Sequence, residues 1–334
     1  MPKPRVLATL AMDAAGDHLL EGIADIVVAP DSGAQTLYAM IGDADVLVVR
    51  THLPADLFDR PNRLIGVVRH GTGLDLIPVD AATAQAIPVA NVPGVNAEAV
   101  AEYCLASFLA LVRPLHWMDR DLRIAGWKEG RAHSAGATEL FGRTVGIVGL
   151  GSIGVRLAEI CRVGFGMRVI GYQRRLDAMP GYVERADLDT LFRESDFISL
   201  NCPLTPETRH LVDARRLALM KPSAVIVNAA RGPVIDEAAL ADALARRAIA
   251  GAAVDVFDTQ PLARDHPFLA LDNILLTPHA AGLTQESNRR MSEGTAHEVL
   301  RLLRGERPVN LVNPEIWDQA VARRQRLSSQ GRAA

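Results

Sequence analysis

The chain has 334 residues, 49% hydrophobic and 22% charged, with a formal net charge of −3. That composition supports one large core or two ordinary ones and excludes a largely disordered chain. The mildly acidic balance excludes a dedicated nucleic-acid binder, which carries a basic face.

Lys3 and Arg5 precede VLATLAM, an apolar run too short for a signal peptide, so it is read as a first β-strand. VLATLA (6–11), DIVVA (25–29), DVLVV (45–49), LIGVV (64–68) and IPVAN (87–91) are the strand candidates of the first ninety residues. Continuous apolar runs suit a parallel sheet buried on both faces, and the helix-like segments between them supply crossovers. NAEAVAEYCLASFLALVR (96–113) has helical spacing and is stopped by Pro114, which predicts one long helix. Residues 119–142 contain Gly126, Gly130 and Gly136 and read as an irregular connection.

A second α/β series begins at Thr144. TVGIVGLG, MRVIGY, FISLN, AVIVNAA, GAAVDVF and NILLTPH read as six strands separated by helices. Residues 283–305 have helical spacing, 309–314 return as an extended piece, and the sequence after Trp317 reads as a polar tail whose last ten residues are disordered. Cys104, Cys161 and Cys202 form no CxxC pair, so no metal site is expected and a reducing, cytoplasmic compartment fits. The longest apolar run, 104–112, is too short to cross a bilayer, so no membrane association is expected.

GLGSIG (149–154) follows a predicted strand and opens a predicted helix, the context that gives the GxGxxG pattern its meaning. Gly149 permits the tight turn, Gly151 lets the backbone approach a pyrophosphate, and Gly154 lets helix and strand pack. The helix N-terminus, at Ser152 and Ile153, offers N–H groups to phosphates. The next strand ends in Tyr172-Gln173-Arg174-Arg175, without the carboxylate that receives the ribose 2′-OH of NAD. Two guanidiniums attract a 2′-phosphate, which predicts NADP(H) over NAD(H).

With HGTGLDLIPVD, NVPGVNAEAVAEY, GLGSIG, NCPLTPETRHLV, VIVNAARGPVID, GAAVDVFDTQP and NILLTPHAAG in this order, residues 65–313 resemble the D-isomer-specific 2-hydroxyacid dehydrogenases. The resemblance implies an α/β fold of two doubly wound parallel-sheet domains. A Rossmann-type cofactor domain (99–284) is inserted into a flavodoxin-like substrate domain (1–98 and 285–315), and 316–334 form a tail. It also implies a homodimer and a small 2-oxo or 2-hydroxy acid as partner. The expected activity is reduction of an acid of the glyoxylate or hydroxypyruvate type. Phosphoglycerate or formate dehydrogenase, or a dinucleotide-sensing binding protein, are the rival readings.

Hydride transfer to a 2-oxo acid requires a grip on the carboxylate, polarisation of the carbonyl and a proton for its oxygen. The resemblance assigns the grip to Arg231 in NAARG and the proton to His279 in TPHAAG. It places further substrate contacts at Thr72, Gly73 and Asn96, with His70 beside that loop. Cofactor contacts are implied at Gly149, Gly151, Ser152, Ile153, Gly154, Gln173, Arg174, Arg175, Cys202, Pro203, Thr208, Ala229, Asp255, His279 and Gly282. Asp255 is expected to hold the nicotinamide amide.

One position departs from the family. Where relatives carry a glutamate that charge-pairs with the histidine, this chain has Gln260, and Asp258 stands two residues too early. An amide orients the ring without ionic support for its protonated form. Reduction is therefore expected to lose rate at a lower pH than in relatives with glutamate. Formate dehydrogenase carries Gln at this position, but the substrate loop resembles the hydroxyacid type, so formate oxidation is the minor expectation.

Overall fold

The computed structural model describes residues 3–174 and 179–330. Arg175, one of the two expected 2′-phosphate ligands, lies outside the described residues. The chain divides into two compact units, residues 1–96 with 284–334, and residues 97–283.

The first unit opens with β1 (Arg5–Ala8), α1 (Ala14–Leu20), β2 (Asp25–Val28), α2 (Ala34–Met40), β3 (Val46–Val49), β4 (Gly66–Arg69), α3 (Val79–Ala84) and β5 (Val89–Ala90). The second contains α4 (Ala97–Val112), α5 (Leu115–Ile124), α6 (Trp127–Ala132), β6 (Thr144–Val148), α7 (Ser152–Phe165), β7 (Arg168–Tyr172) and β8 (Glu184–Arg185). It continues through α8 (Leu188–Glu194), β9 (Phe197–Leu200), α9 (Ala214–Leu217), β10 (Val225–Asn228), α10 (Glu237–Ala245), β11 (Gly251–Val254) and β12 (Ile274–Leu276). The chain then returns to the first unit with α11 (Gln285–Arg304) and α12 (Trp317–Gln330).

The sheet of the first unit has strand order β2-β1-β3-β4-β5, all parallel, which is the flavodoxin-like order. One face carries Leu37, Leu47, Phe58 and Ile87, and the other Leu20, Val46, Val48, Ala296 and Val299. Residues at the end of the chain return beside β5, where Val312 N–H donates to Val89 O at 2.8 Å.

The second unit has a seven-stranded parallel sheet, β12-β11-β10-β9-β6-β7-β8. This is the Rossmann order, and it reverses between β6 and β9. Side chains along each strand alternate between two cores. Val225 and Val227 face α4 and α7, whereas Ile226 faces the layer of Leu191, Leu217 and Leu240. On α4, Val100, Cys104 and Phe108 recur every fourth residue on the buried face. Full burial of one such side chain is worth about 1.5–3 kcal/mol.

Two segments differ from the sequence reading. The expected irregular connection contains α5 and α6. Gly126, at φ 104°, supplies the sharp turn between them, and a Cβ on Gly130 would lie 2.9 Å from Met118 O. These glycines serve a close helix pair, so they are not loop markers. The expected polar tail is mostly helix α12, anchored by Arg323 Nε to Leu64 O at 3.0 Å and by Arg324 Nη1 to Leu302 O at 2.7 Å. Its polarity had disguised a helix held by guanidinium–carbonyl bonds.

Candidate active site

The second unit gathers chemistry at the carboxyl ends of its strands, where open parallel sheets bind ligands. The turn after β6 holds the three glycines, and each fills a distinct steric role. Gly149 has φ 94°, and a Cβ there would approach the Asn201 backbone to 2.8 Å. A Cβ on Gly154 would lie 2.1 Å from Gly149 O, so only glycine lets α7 start this close to the turn. At Gly151 a Cβ would meet no atom of the described residues beyond its chain neighbours within 4 Å. The fold itself makes no demand for glycine there, whereas close approach of a pyrophosphate does. Gly151 caps α7 without a side-chain hydrogen bond, leaving the first turn at Ser152 and Ile153 to face a phosphate.

The two neighbouring strand ends complete this half of the site. Beyond β7 the Gln173 amide nitrogen is buried without a partner among the described residues, and Arg174 is exposed. A buried donor left open at this point of the fold fits a ribose or phosphate oxygen. Beyond β9, the Thr208 hydroxyl donates to Pro203 O at 2.7 Å and accepts from Thr205 N–H at 2.7 Å. It thereby closes the turn that carries Cys202 and Pro203. Burial pushes the Cys202 thiol up to about 11, so it presents a neutral wall. These residues fit a dinucleotide.

The residues expected to carry the chemistry follow the three adjacent strands β10, β11 and β12. After β10, buried Asn228 braces the turn through Ala230, whose N–H donates to Asn228 Oδ1 at 3.1 Å, while Asn228 Nδ2 donates to Arg231 O at 3.0 Å. Ala229 lies within this turn, and Arg231 Nη1 donates to Ala230 O at 2.6 Å. The next residue, Gly232, abuts the following loop: a Cβ there would lie 2.1 Å from the Phe257 carbonyl carbon. Sequence reading attached no importance to Gly232, because its role is a contact between two loops distant in sequence.

After β11 comes Asp255, 1% exposed. Its Oδ1 accepts from Thr277 Oγ1 at 2.6 Å and Ala280 N–H at 2.7 Å, and its Oδ2 accepts from Ala281 N–H at 2.9 Å. The carboxylate thus organises the loop after β12 that holds His279 and Gly282. This anchoring was not foreseen from the motif. His279 has φ 55°, an uncommon left-handed conformation for a residue with a side chain, and its N–H donates to Asp255 O at 2.8 Å.

His279 Nδ1 lies 3.0 Å from Gln260 Oε1, and Gln260 Nε2 lies 3.3 Å from Phe257 O. The pair has one consistent proton arrangement. A carbonyl oxygen only accepts, so the amide nitrogen must face Phe257 and its oxygen must face the ring. His279 Nδ1 then carries the hydrogen of the neutral ring, and Nε2 is its unprotonated nitrogen. Asp258 is not part of this pair; its N–H donates to Glu237 Oε1 at 2.9 Å.

In the first unit, Asn91 Nδ2 donates to Thr72 O at 2.8 Å and Arg69 Nε donates to Gly73 O at 2.9 Å. With those carbonyls tied back, the Thr72 and Gly73 N–H groups have no partner among the described residues, an arrangement suited to an anion. Asn96 ends this part of the unit, just before α4. The His70 ring is turned inward: it is 3% exposed, with Nε2 at 2.8 Å from Ser292 Oγ. Burial, and then the charges of Arg50 and Arg69, push it down to about 3, so it is a neutral internal group. That position favours a structural role over the substrate contact expected from its place beside the loop.

Arg50 and Arg69 were missed in the sequence. They follow from the sheet: β3 and β4 are adjacent, which brings both guanidiniums to the same edge, and Arg69 Nη1 donates to Val49 O at 3.0 Å. Thr51 Oγ1 is buried there without a partner among the described residues.

Residues 105–281 match the family described as D-isomer specific 2-hydroxyacid dehydrogenase, NAD binding domain. The chain is 37% identical over 328 residues to a glyoxylate reductase of Thermofilum pendens, covering 95% of this chain and 96% of that one. It is 36% identical over 315 residues to a D-3-phosphoglycerate dehydrogenase of Methanocaldococcus jannaschii, covering 92% of this chain but 59% of that one. The fold is similar to an NADPH-dependent glyoxylate/hydroxypyruvate reductase of Sinorhizobium meliloti solved with NADP and malonate. That likeness has a TM-score of 0.82 and 28% identity, over 93% of this chain and 98% of that one.

Proposed function

The chain belongs to the D-isomer-specific 2-hydroxyacid dehydrogenase family, and from that membership we propose that it reduces a small 2-oxo acid, of the glyoxylate or hydroxypyruvate type, with NADPH. It is a nicotinamide-dependent oxidoreductase acting on CH–OH groups. The observation that carries the finer reading is the His279–Gln260 pair at 3.0 Å, with His279 on the strand end next to that of Gln260 and two from that of Arg231.

A bound nicotinamide supplies the hydride. Gly149, Gly151, Gly154, Gln173 and Arg174 are the residues that would hold the dinucleotide. Arg231 is read as the clamp on the substrate carboxylate, using its planar fork. His279 Nε2–H is read as the donor to the carbonyl oxygen, while Nδ1–H stays bonded to Gln260 Oε1. In the reverse direction Nε2 accepts the hydroxyl proton. A panel of 2-oxo acids assayed with NADPH and NADH tests the reading. Turnover lost in both Arg231→Ala and His279→Asn supports it. NADPH binding without turnover of any 2-oxo acid favours a sensor.

A second substrate reading, 3-phosphoglycerate chemistry, is favoured by Arg50, Arg69 and the buried Thr51 hydroxyl at one strand edge of the first unit. Such a cluster suits a second anionic group. Higher kcat/KM for phosphohydroxypyruvate than for hydroxypyruvate would support this alternative.

We also read the second unit as the site of homodimerisation. Leu115, Ile124, Trp127 and Phe141 are each more than 60% exposed, a costly apolar display for a lone subunit. Sedimentation at twice the 36.0 kDa chain mass would support the dimer. Among the described residues no helix is long and apolar enough to cross a membrane. A cytoplasmic setting is part of the same proposal, supported by three cysteines without a disulfide.

A further inference from the structure

The surroundings of Gln260 include a half-buried acid that hydride transfer itself does not use. Glu237 opens α10, its side chain 17% exposed. Its Oε1 accepts the Asp258 N–H at 2.9 Å, and its Oε2 pairs with His266 Nε2 at 3.2 Å. His266 Nδ1 accepts from the Phe268 N–H at 3.3 Å, so the ring hydrogen resides on Nε2 and points at Glu237. Glu237 therefore serves two donors. A carboxylate accepts at both ends, whereas glutamine offers one oxygen for two donors.

Those donors belong to the segment that sets Gln260 in place. Asp258 follows Phe257, whose carbonyl receives the Gln260 amide nitrogen. Gly232, in the turn after Arg231, closely approaches the same Phe257–Asp258 peptide. The peptide that orients Gln260 is thus met by both α10 and the Arg231 turn.

We propose that Glu237 is a positioning residue, whose carboxylate fixes the 257–260 turn so that Gln260 Oε1 stays opposite His279 Nδ1. The inference rests on the reading of His279 as proton donor, but it predicts a coupling that can be measured separately. A mismatch of about 1 Å in such a support can lower rate by roughly 100-fold.

The test is a double-mutant cycle of Glu237→Gln and Gln260→Ala, read by steady-state reduction and by the ¹⁵N shift of His279 Nδ1. Glu237→Gln should lower kcat about tenfold and change KM less than about threefold, with a further effect below about twofold in the Gln260→Ala background. The Nδ1 signal should move in the direction it moves in Gln260→Ala. A full tenfold loss in the Gln260→Ala background, or a wild-type kcat and Nδ1 signal in Glu237→Gln, overturns the proposal. If His279→Asn leaves kcat unchanged, the proton-donor reading fails instead, and the Nδ1 signal alone decides the positioning claim. Should Glu237→Gln not fold, Glu237→Asp keeps the charge but draws the carboxylate back by one methylene from the Asp258 N–H. It should show the same non-additivity, and additivity there overturns the proposal equally.

Discussion

Gln260 Oε1 faces His279 Nδ1 at 3.0 Å while the amide nitrogen of Gln260 is held by the carbonyl of Phe257 at 3.3 Å. The amide thus performs the orienting half of what a glutamate would do and omits the charge. It fixes the ring hydrogen on Nδ1, yet a neutral oxygen stabilises an imidazolium less than a carboxylate does.

Gln260→Glu restores that charge. In the proposed reaction, reduction uses the protonated ring, and a carboxylate neighbour keeps the ring protonated to higher pH. The upper limb of the kcat/KM profile for reduction should therefore move up by about one to two pH units. The lower limb for oxidation, which needs the unprotonated ring, should rise with it. Steady-state profiles between pH 5 and 10 measure both, and profiles that coincide with wild type would remove Gln260 from the proton pathway.

Cofactor choice hangs on the end of β7. Arg174 is exposed, and among the described residues the strand end carries no acid to receive a ribose hydroxyl. A guanidinium–phosphate contact is worth about 1.5–3 kcal/mol, so Arg174→Ala should raise KM for NADPH by roughly 10- to 100-fold. KM for NADH should change little. Equal losses with both cofactors would mean that Arg174 supports the fold of the turn and does not discriminate.

Much of this was legible before folding. Six strands of the second unit were readable because strands of a parallel sheet, most of them buried on both faces, are uninterrupted apolar runs. The glycine turn was readable because each glycine answers a separate steric demand, as Gly149, Gly151 and Gly154 do. The Gln260–His279 pairing was readable because both residues sit in short ordered motifs. Other features depend on neighbours that sequence order hides. Arg50 and Arg69 become a pair only because β3 and β4 are adjacent. Glu237 looks like any acid opening a helix until Asp258 and His266 are brought against it. Helices α5 and α6 were missed because glycines needed for helix contact look identical to glycines needed for a loop.

Buried His70 makes stability depend on pH. Its folded value is pushed down to about 3, well below the ordinary 6.5, chiefly by burial and then by Arg50 and Arg69. A depressed histidine contributes stability above its unfolded value, and that contribution is lost as pH falls toward the folded value. Between pH 6.5 and pH 5 the unfolded chain gains a proton that the folded chain refuses, a loss on the order of 2 kcal/mol. His70→Asn lacks that term. Denaturant unfolding at pH 7 and pH 5 should show wild type losing about 2 kcal/mol more than His70→Asn between the two. Parallel losses would mean that His70 reaches water and titrates normally.

Two glycines should respond to alanine in opposite directions. Gly164 lies in α7, and a Cβ there would meet nothing within 4 Å. Gly164→Ala adds helix propensity and should stabilise the protein by about 0.5–1 kcal/mol with unchanged turnover. Gly232 is the converse case, because its Cβ would lie 2.1 Å from the Phe257 carbonyl carbon and 2.3 Å from its oxygen. Backbone atoms cannot rotate aside as a side chain would, and Phe257 is itself packed in the core. Gly232→Ala should therefore cost about 1–3 kcal/mol by overpacking. It must also push apart the turn of Arg231 and the turn of Gln260, so kcat/KM should fall by roughly 100-fold, beyond what the stability loss implies at assay temperature. Thermal unfolding and initial rates on both variants check the pair. A Gly232→Ala enzyme with normal rates would show that the two turns need not touch for catalysis.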